Sequence, residues 1–65
     1  MYKNKIKKYR KEKKMTLKDI ADVSGISVGY LSHLEIGSRG NPSREVMEKI
    51  SSALEKTIPE VFFEE

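Results

Sequence analysis

The stretch Thr16-Leu17-Lys18-Asp19-Ile20-Ala21-Asp22-Val23-Ser24-Gly25-Ile26-Ser27-Val28-Gly29-Tyr30-Leu31-Ser32-His33-Leu34-Glu35-Ile36-Gly37 decides how this chain folds. Thr16 can accept a hydrogen bond from the backbone three residues on while Asp19 reaches back, which predicts a helix start. Leu17, Ile20 and Ala21 then form its apolar stripe. Gly25 enters a left-handed conformation without steric penalty, so Ser24-Gly25-Ile26 predicts a sharp turn. Ser27 caps the next helix, over residues 28–36. That helix directs Leu31, Leu34 and Glu35 inward, leaves Gly29, Ser32 and His33 outward, and stops at Gly37. Two short helices thus meet across a tight turn, and the second shows a small, polar outer face.

Working outward, residues 3–14 predict a first helix with Ile6, Tyr9, Arg10 and Lys13 on one stripe. Arg10 therefore falls where a core residue is expected. A loop over 38–42 follows the central pair. Ser43 caps a helix over 44–54 whose apolar face is Val46, Met47, Ile50, Ala53 and Leu54. Thr57-Ile58-Pro59-Glu60 starts a fifth, over 59–63, carrying Val61 and Phe62. With no alternating run long enough for a strand, the fold class is all-α: one domain of five short helices over residues 1–65, at about 3–14, 17–24, 28–36, 44–54 and 59–63.

Composition narrows the function. The chain has 65 residues, no cysteine and a single histidine, so neither a disulfide framework nor a structural zinc site is available to its small core, and no metal is expected. The longest apolar run is Val61-Phe62-Phe63, which excludes a membrane span and a secretory leader and predicts a cytoplasmic protein. There is no cysteine nucleophile, the only histidine faces outward from its helix, and no glycine-rich phosphate loop or carboxylate-histidine cluster appears, so no enzyme is expected, and neither a cofactor nor a small-molecule substrate is implied. The net charge of +3 hides an asymmetry. Residues 1–14 carry eight basic side chains against Glu12 alone, a net +7, while residues 15–65 sum to −4. A cationic end suits a polyanion, and the basic stretch offers too little apolar surface for a membrane, so nucleic acid is the favoured partner. A solvated helix face with a lysine excess accounts for the charge equally well.

The central helix pair matches a DNA-binding helix-turn-helix. Taken whole, Ile20-Ala21, Gly25-Ile26-Ser27, Tyr30-Leu31-Ser32, Leu34-Glu35 and Gly37, followed by Asn41-Pro42-Ser43, resembles the Cro/phage-repressor (Xre) family over about residues 5–62. Lys7-Lys8-Tyr9-Arg10-Lys11-Glu12-Lys13 and Tyr30-Leu31-Ser32 look closest to sporulation- and biofilm-type regulators.

The resemblance implies a compact, lambda-repressor-like domain that binds double-stranded operator DNA and regulates transcription, most often as a repressor encoded by a bacterium or phage. It implies base contacts from Ser27, Val28, Gly29, Tyr30, Ser32 and His33, with the second helix of the motif in the major groove. Backbone contacts are implied for Thr16, Lys18, Arg39, Asn41, Ser43 and Arg44, and a buried ion pair for Arg10 and Glu35. Relatives bind paired half-sites as homodimers. Val61, Phe62 and Phe63 leave more apolar surface than one short helix can bury, which assigns them to a dimer interface.

The chain also departs from the family. Leu17 and Ile36 stand where many members have phosphate-contacting glutamine and asparagine, and Val28 and Gly29 stand where relatives often have Gln, Lys or Ser. Sequence reading then leans on thymine methyls and DNA shape, and affinity on the lysine-rich first helix. Bland readings compete at single residues: Tyr30 packs at a helix start, His33 is an ordinary exposed histidine, and the lysines only solvate their helix. A protein-interaction module, antitoxin-like or an adaptor, is the alternative for the whole domain.

Overall fold

The computed structural model describes residues 4–37 and 42–63, in which every regular element is helical. They are α1 (Ile6–Glu12), α2 (Leu17–Ser24), α3 (Val28–Glu35), α4 (Arg44–Leu54) and a single π-type turn (Pro59–Phe63). α2 packs against α3 and α4, while α1 crosses α4 and the C-terminal turn. Ile6, Tyr9, Ile20, Leu31, Leu34, Ile50, Ala53, Leu54, Val61 and Phe62 close one core among them. Leu17 and Met47 are only partly buried and pack on its rim.

Local chemistry sets most boundaries. Asp19 N–H donates to Thr16 Oγ1 at 3.1 Å, and Thr16 N–H donates to Asp19 Oδ2 at 2.8 Å, a reciprocal cap that opens α2. Gly25 closes it at φ 78°, its N–H donating to the Ala21 carbonyl. Tyr30 N–H donates to Ser27 Oγ and Val46 N–H to Ser43 Oγ, which open α3 and α4.

Two expected helices differ. α1 spans Ile6–Glu12 rather than 3–14, and residue 3 lies outside the described residues. At its start, the Asn4 side chain accepts from Ile6 N–H and donates to the Leu34 carbonyl at 2.7 Å, so Asn4 serves as a clasp between helices instead of a helical residue. At its end, Lys14 N–H donates to Lys11 O and Met15 N–H to Arg10 O, with Lys14 left-handed at φ 58°. That is a Schellman closure with lysine in the place usually held by glycine. α4 ends the same way, through Glu55 N–H to Ser52 O and Lys56 N–H to Ser51 O, with Glu55 at φ 59°.

The fifth element is a wider turn than a regular short helix. Glu60 and Thr57 cap it reciprocally, and Val61 O accepts from Lys5 N–H at 2.8 Å. This contact draws Val61 and Phe62 onto Ile6, leaving them 1% and 4% exposed inside the chain's own core. Their assignment to a dimer interface is therefore corrected: both are consumed in closing the monomer core, and only Phe63, 61% exposed, remains on the surface.

Candidate nucleic-acid interface

α3 is set in place from its inner side. The Arg10 guanidinium grips Glu35 through Nε to Oε2 at 2.8 Å and Nη2 to Oε1 at 3.2 Å. Its Nη1 donates to the Met15 carbonyl at 2.9 Å. The two side chains are 14% and 8% exposed, so the fork is a largely desolvated strut between α1 and the end of α3. With Asn4 on the Leu34 carbonyl, it fixes the tilt at which α3 leaves the core.

The opposite side of α3 is open. Val28, Gly29 and His33 are exposed, and Ser32 is half-buried. A Cβ built on Gly29 meets nothing within 4 Å, so packing does not require glycine there. Ser27 Oγ already accepts from Tyr30 N–H, which leaves its hydroxyl proton for an outside acceptor. Tyr30 is half-buried and packs against the core, so most of its ring is committed to the fold. Ile36, just beyond the helix, is exposed.

The residues assigned to the DNA backbone divide into two groups. Thr16, Lys18, Ser43 and Arg44 sit at the N-terminal ends of α2 and α4, where N–H groups and the helix dipole favour anions. Arg39 and Asn41 lie outside the described residues. None of the first group is idle within the fold. The Thr16 and Ser43 hydroxyls accept capping bonds, Lys18 Nζ lies 3.3 Å from Asp22 Oδ2, and Arg44 Nε lies 3.5 Å from Glu48 Oε2. The Asp19 carboxyl is held below its ordinary range, first by the Thr16 backbone N–H and then by the Thr16 hydroxyl. The capping bonds of Glu60 to Thr57 depress that carboxyl in the same way.

Several contacts escape a reading of the sequence. Lys13 Nζ meets Glu55 Oε1 at 2.8 Å, drawing the Glu55 carboxyl down, and Lys56 Nζ lies 4.8 Å from the Tyr9 ring centre. These bind α1 to the end of α4 across 42 residues of chain, a separation at which no spacing rule operates. Asn4 could have been flagged, since asparagine just ahead of an apolar-periodic run is a capping residue.

Comparison with known proteins agrees with this geometry. The helix-turn-helix family profile matches residues 6–61. The HTH-type transcriptional regulator SinR of Bacillus subtilis is 39% identical over 54 residues, which cover 83% of this chain and 49% of SinR. SlrR of the same organism, also an HTH-type transcriptional regulator, is 40% identical over 57 residues, covering 88% of this chain and 38% of SlrR. The chain thus spans about half or less of the length of these curated relatives. In three dimensions it matches the N-terminal DNA binding domain of SinR from Bacillus subtilis with a TM-score of 0.78 at 39% identity, over 83% of this chain and 78% of that one. With the profile spanning α1 through Val61 and the turn between α2 and α3 formed as the motif requires, the chain belongs to the helix-turn-helix family of the Cro/phage-repressor type.

Proposed function

We propose that this chain binds double-stranded operator DNA in a sequence-dependent manner and regulates transcription, acting as a repressor. The observation that carries the reading is the joint likeness, in fold and in sequence, to a DNA-binding domain. α3 enters the major groove, and Ser27, Ser32 and His33 address base edges. Val28 and Gly29 offer no hydrogen-bonding side chain. Their part is apolar contact with thymine methyls and close approach of the helix, while Tyr30 supports the helix start from the core side. Thr16, Lys18, Ser43 and Arg44, together with Arg39 and Asn41, hold phosphates.

Self-association accompanies this function. Phe63 projects beside a surface cavity of about 400 Å³ lined by Arg44, Met47, Ile58 and Pro59, and that surface supports pairing of two copies on two half-sites. Phe63→Glu should weaken dimers in sedimentation without lowering the monomer's stability. A wild-type chain that stays monomeric at high concentration, with and without DNA, refutes the pairing.

The test of DNA reading is repeated selection from a random duplex pool, followed by affinity measurements on the enriched sequence. Ser27→Ala and His33→Ala should each cost ~1 to 3 kcal/mol per half-site on the enriched duplex and almost nothing on random duplex. Arg44→Ala should weaken both and make the salt slope shallower by ~0.9 per half-site. Failure to enrich any sequence, with no binding at low salt, rejects the reading in favour of a protein-interaction module.

A further inference from the structure

We propose that Lys7, Lys11 and Lys14 form a second phosphate-binding stripe, carried by α1 and the turn that closes it, that grips the backbone of duplex DNA beyond the segment addressed by α3. The inference rests on the DNA-binding reading and adds a surface to it.

The two left-handed residues point to the stripe. Lys14 and Glu55 both take a backbone conformation that glycine adopts more cheaply. At Glu55 the fold uses the side chain so placed, because its carboxylate meets Lys13 at 2.8 Å. At Lys14 the side chain is exposed and makes no ion pair among the described residues. A lysine held at a position where glycine would serve the turn better, with no ion-pair partner among the described residues, points to a counter-charge outside the domain.

Its neighbours share that condition. Lys7 and Lys11 lie one helical turn apart on the exposed side of α1, both to one side of Arg10. Neither is ion-paired within the described residues. Lys14 stands in the turn between these two and Lys18 at the start of α2, itself a proposed phosphate contact. Lys7 and Lys11 are separated by four residues of helical rise, about 6 Å, and Lys14 follows in the turn that closes the helix.

A membrane is the poorer partner for the same cations. Ile6 and Tyr9 are buried, and the outward residues of α1, Lys7, Lys8, Lys11 and Glu12, are all charged, which leaves nothing apolar to insert.

The experiment compares three proteins on a random-sequence 40-base-pair duplex across a salt series, by fluorescence anisotropy: wild type, Lys7→Gln/Lys11→Gln/Lys14→Gln, and a control of equal charge, Lys13→Gln/Lys49→Gln/Lys56→Gln. Melting curves establish that each is folded. The stripe variant should show a slope of log affinity on log salt shallower than wild type by about 0.9 per lost contact, up to about 2.7, and the control should keep nearly the wild-type slope. Equal changes in both variants overturn the stripe, since net charge alone would then explain the loss. Wild-type binding that the stripe variant retains in full overturns it too, while leaving the DNA reading intact. No wild-type binding to duplex at low salt defeats the DNA reading itself, and the stripe with it. Binding instead to phosphatidylserine-containing vesicles, lost in the stripe variant, would assign the lysines to a membrane. Lys14→Gly supplies a readout that a purely structural role cannot give: it should raise the melting temperature and weaken duplex binding together.

Discussion

Removing either member of the Arg10–Glu35 fork should come close to unfolding the domain, whereas removing both together should not. A 65-residue chain has a stability of about 3 to 10 kcal/mol. Arg10→Met leaves the Glu35 carboxylate, 8% exposed, without its two guanidinium bonds, and strips the Met15 carbonyl of its donor. An uncompensated buried charge costs ~3 to 5 kcal/mol, most of the total. Glu35→Leu strands the guanidinium at 14% exposure, where a longer side chain can turn partly toward water, so its cost belongs at the lower end of that range. The double replacement exchanges the charges for apolar volume. Its cost is confined to the Met15 carbonyl, about 1 kcal/mol, so the coupling should exceed ~3 kcal/mol. Arg10→Lys keeps the charge but loses the planar fork and should fall between. Urea unfolding followed by far-ultraviolet circular dichroism, with an excluded osmolyte to keep the single variants folded, gives all four corners of the cycle. Single variants that each lose under 1 kcal/mol, or a double variant that loses their sum, would show that water already compensates the charges and that the fork does not hold α3.

Four further outcomes follow from individual contacts. Ser51 Oγ is buried at 2% residue exposure with no hydrogen-bond partner among the described residues, so Ser51→Ala should raise stability by about 1 kcal/mol in the same urea assay, and a loss would show a hidden partner. A Cβ at Gly25 meets nothing, so Gly25→Ala should cost only the left-handed backbone penalty, ~1 to 2 kcal/mol; a larger loss would mean the turn between α2 and α3 rearranges. Asp19, Glu55 and Glu60 all have carboxyls depressed in the folded state, so the stability they add is full above their unfolded range near pH 4 and is lost as pH falls through the depressed folded values. Melting temperature should therefore drop on acidification below about pH 4, and less steeply in Asp19→Asn/Glu60→Gln; an unchanged slope refutes the assignment. Asp22→Asn and Glu48→Gln, which release Lys18 and Arg44 from exposed pairs, should tighten binding to random duplex by a fewfold at low salt, and weaker binding would place neither cation on the backbone.

The parts of the fold legible from the chain are those decided within one helical turn. Thr16 with Asp19, Ser27 and Ser43 each act on N–H groups three residues away, and Gly25 acts on its own φ, so their consequences follow from spacing alone. The inward phase of Arg10 and Glu35 was equally visible, because a charge on an apolar stripe stands out against helical periodicity. Lys14 and Glu55 were illegible for the opposite reason. Neither residue type favours a left-handed backbone, and it is the tertiary packing of Met15 and Lys56 beyond them that sets the turn. The fate of Val61 and Phe62 turned on a quantity that no pattern contains. An apolar run at the end of a small core can close that core or face a second copy, and the Lys5 N–H to Val61 O contact decides for closure.

The candidate site was legible in position more than in state. Spacing puts Ser27, Thr16 and Ser43 at helix starts, but it does not say that each hydroxyl already accepts one capping N–H, which turns one of its lone pairs inward and leaves its proton free to be donated. Nor does it say that Lys18 and Arg44 lean on carboxylates one turn along their own helices. Exposed pairs of this kind hold within ~1 kcal/mol, less than a phosphate contact returns at low salt, so they restrain the cations without blocking them. The same comparison distinguishes the lysines of α1. Lys13 is already spent on Glu55, whereas Lys7, Lys11 and Lys14 meet no carboxylate among the described residues, which leaves their attraction for a polyanion available on first encounter. On the proposed reading, a groove-facing helix with few hydrogen-bonding side chains leaves sequence discrimination to the few donors of α3 and attraction for any duplex to the less encumbered charges of α1.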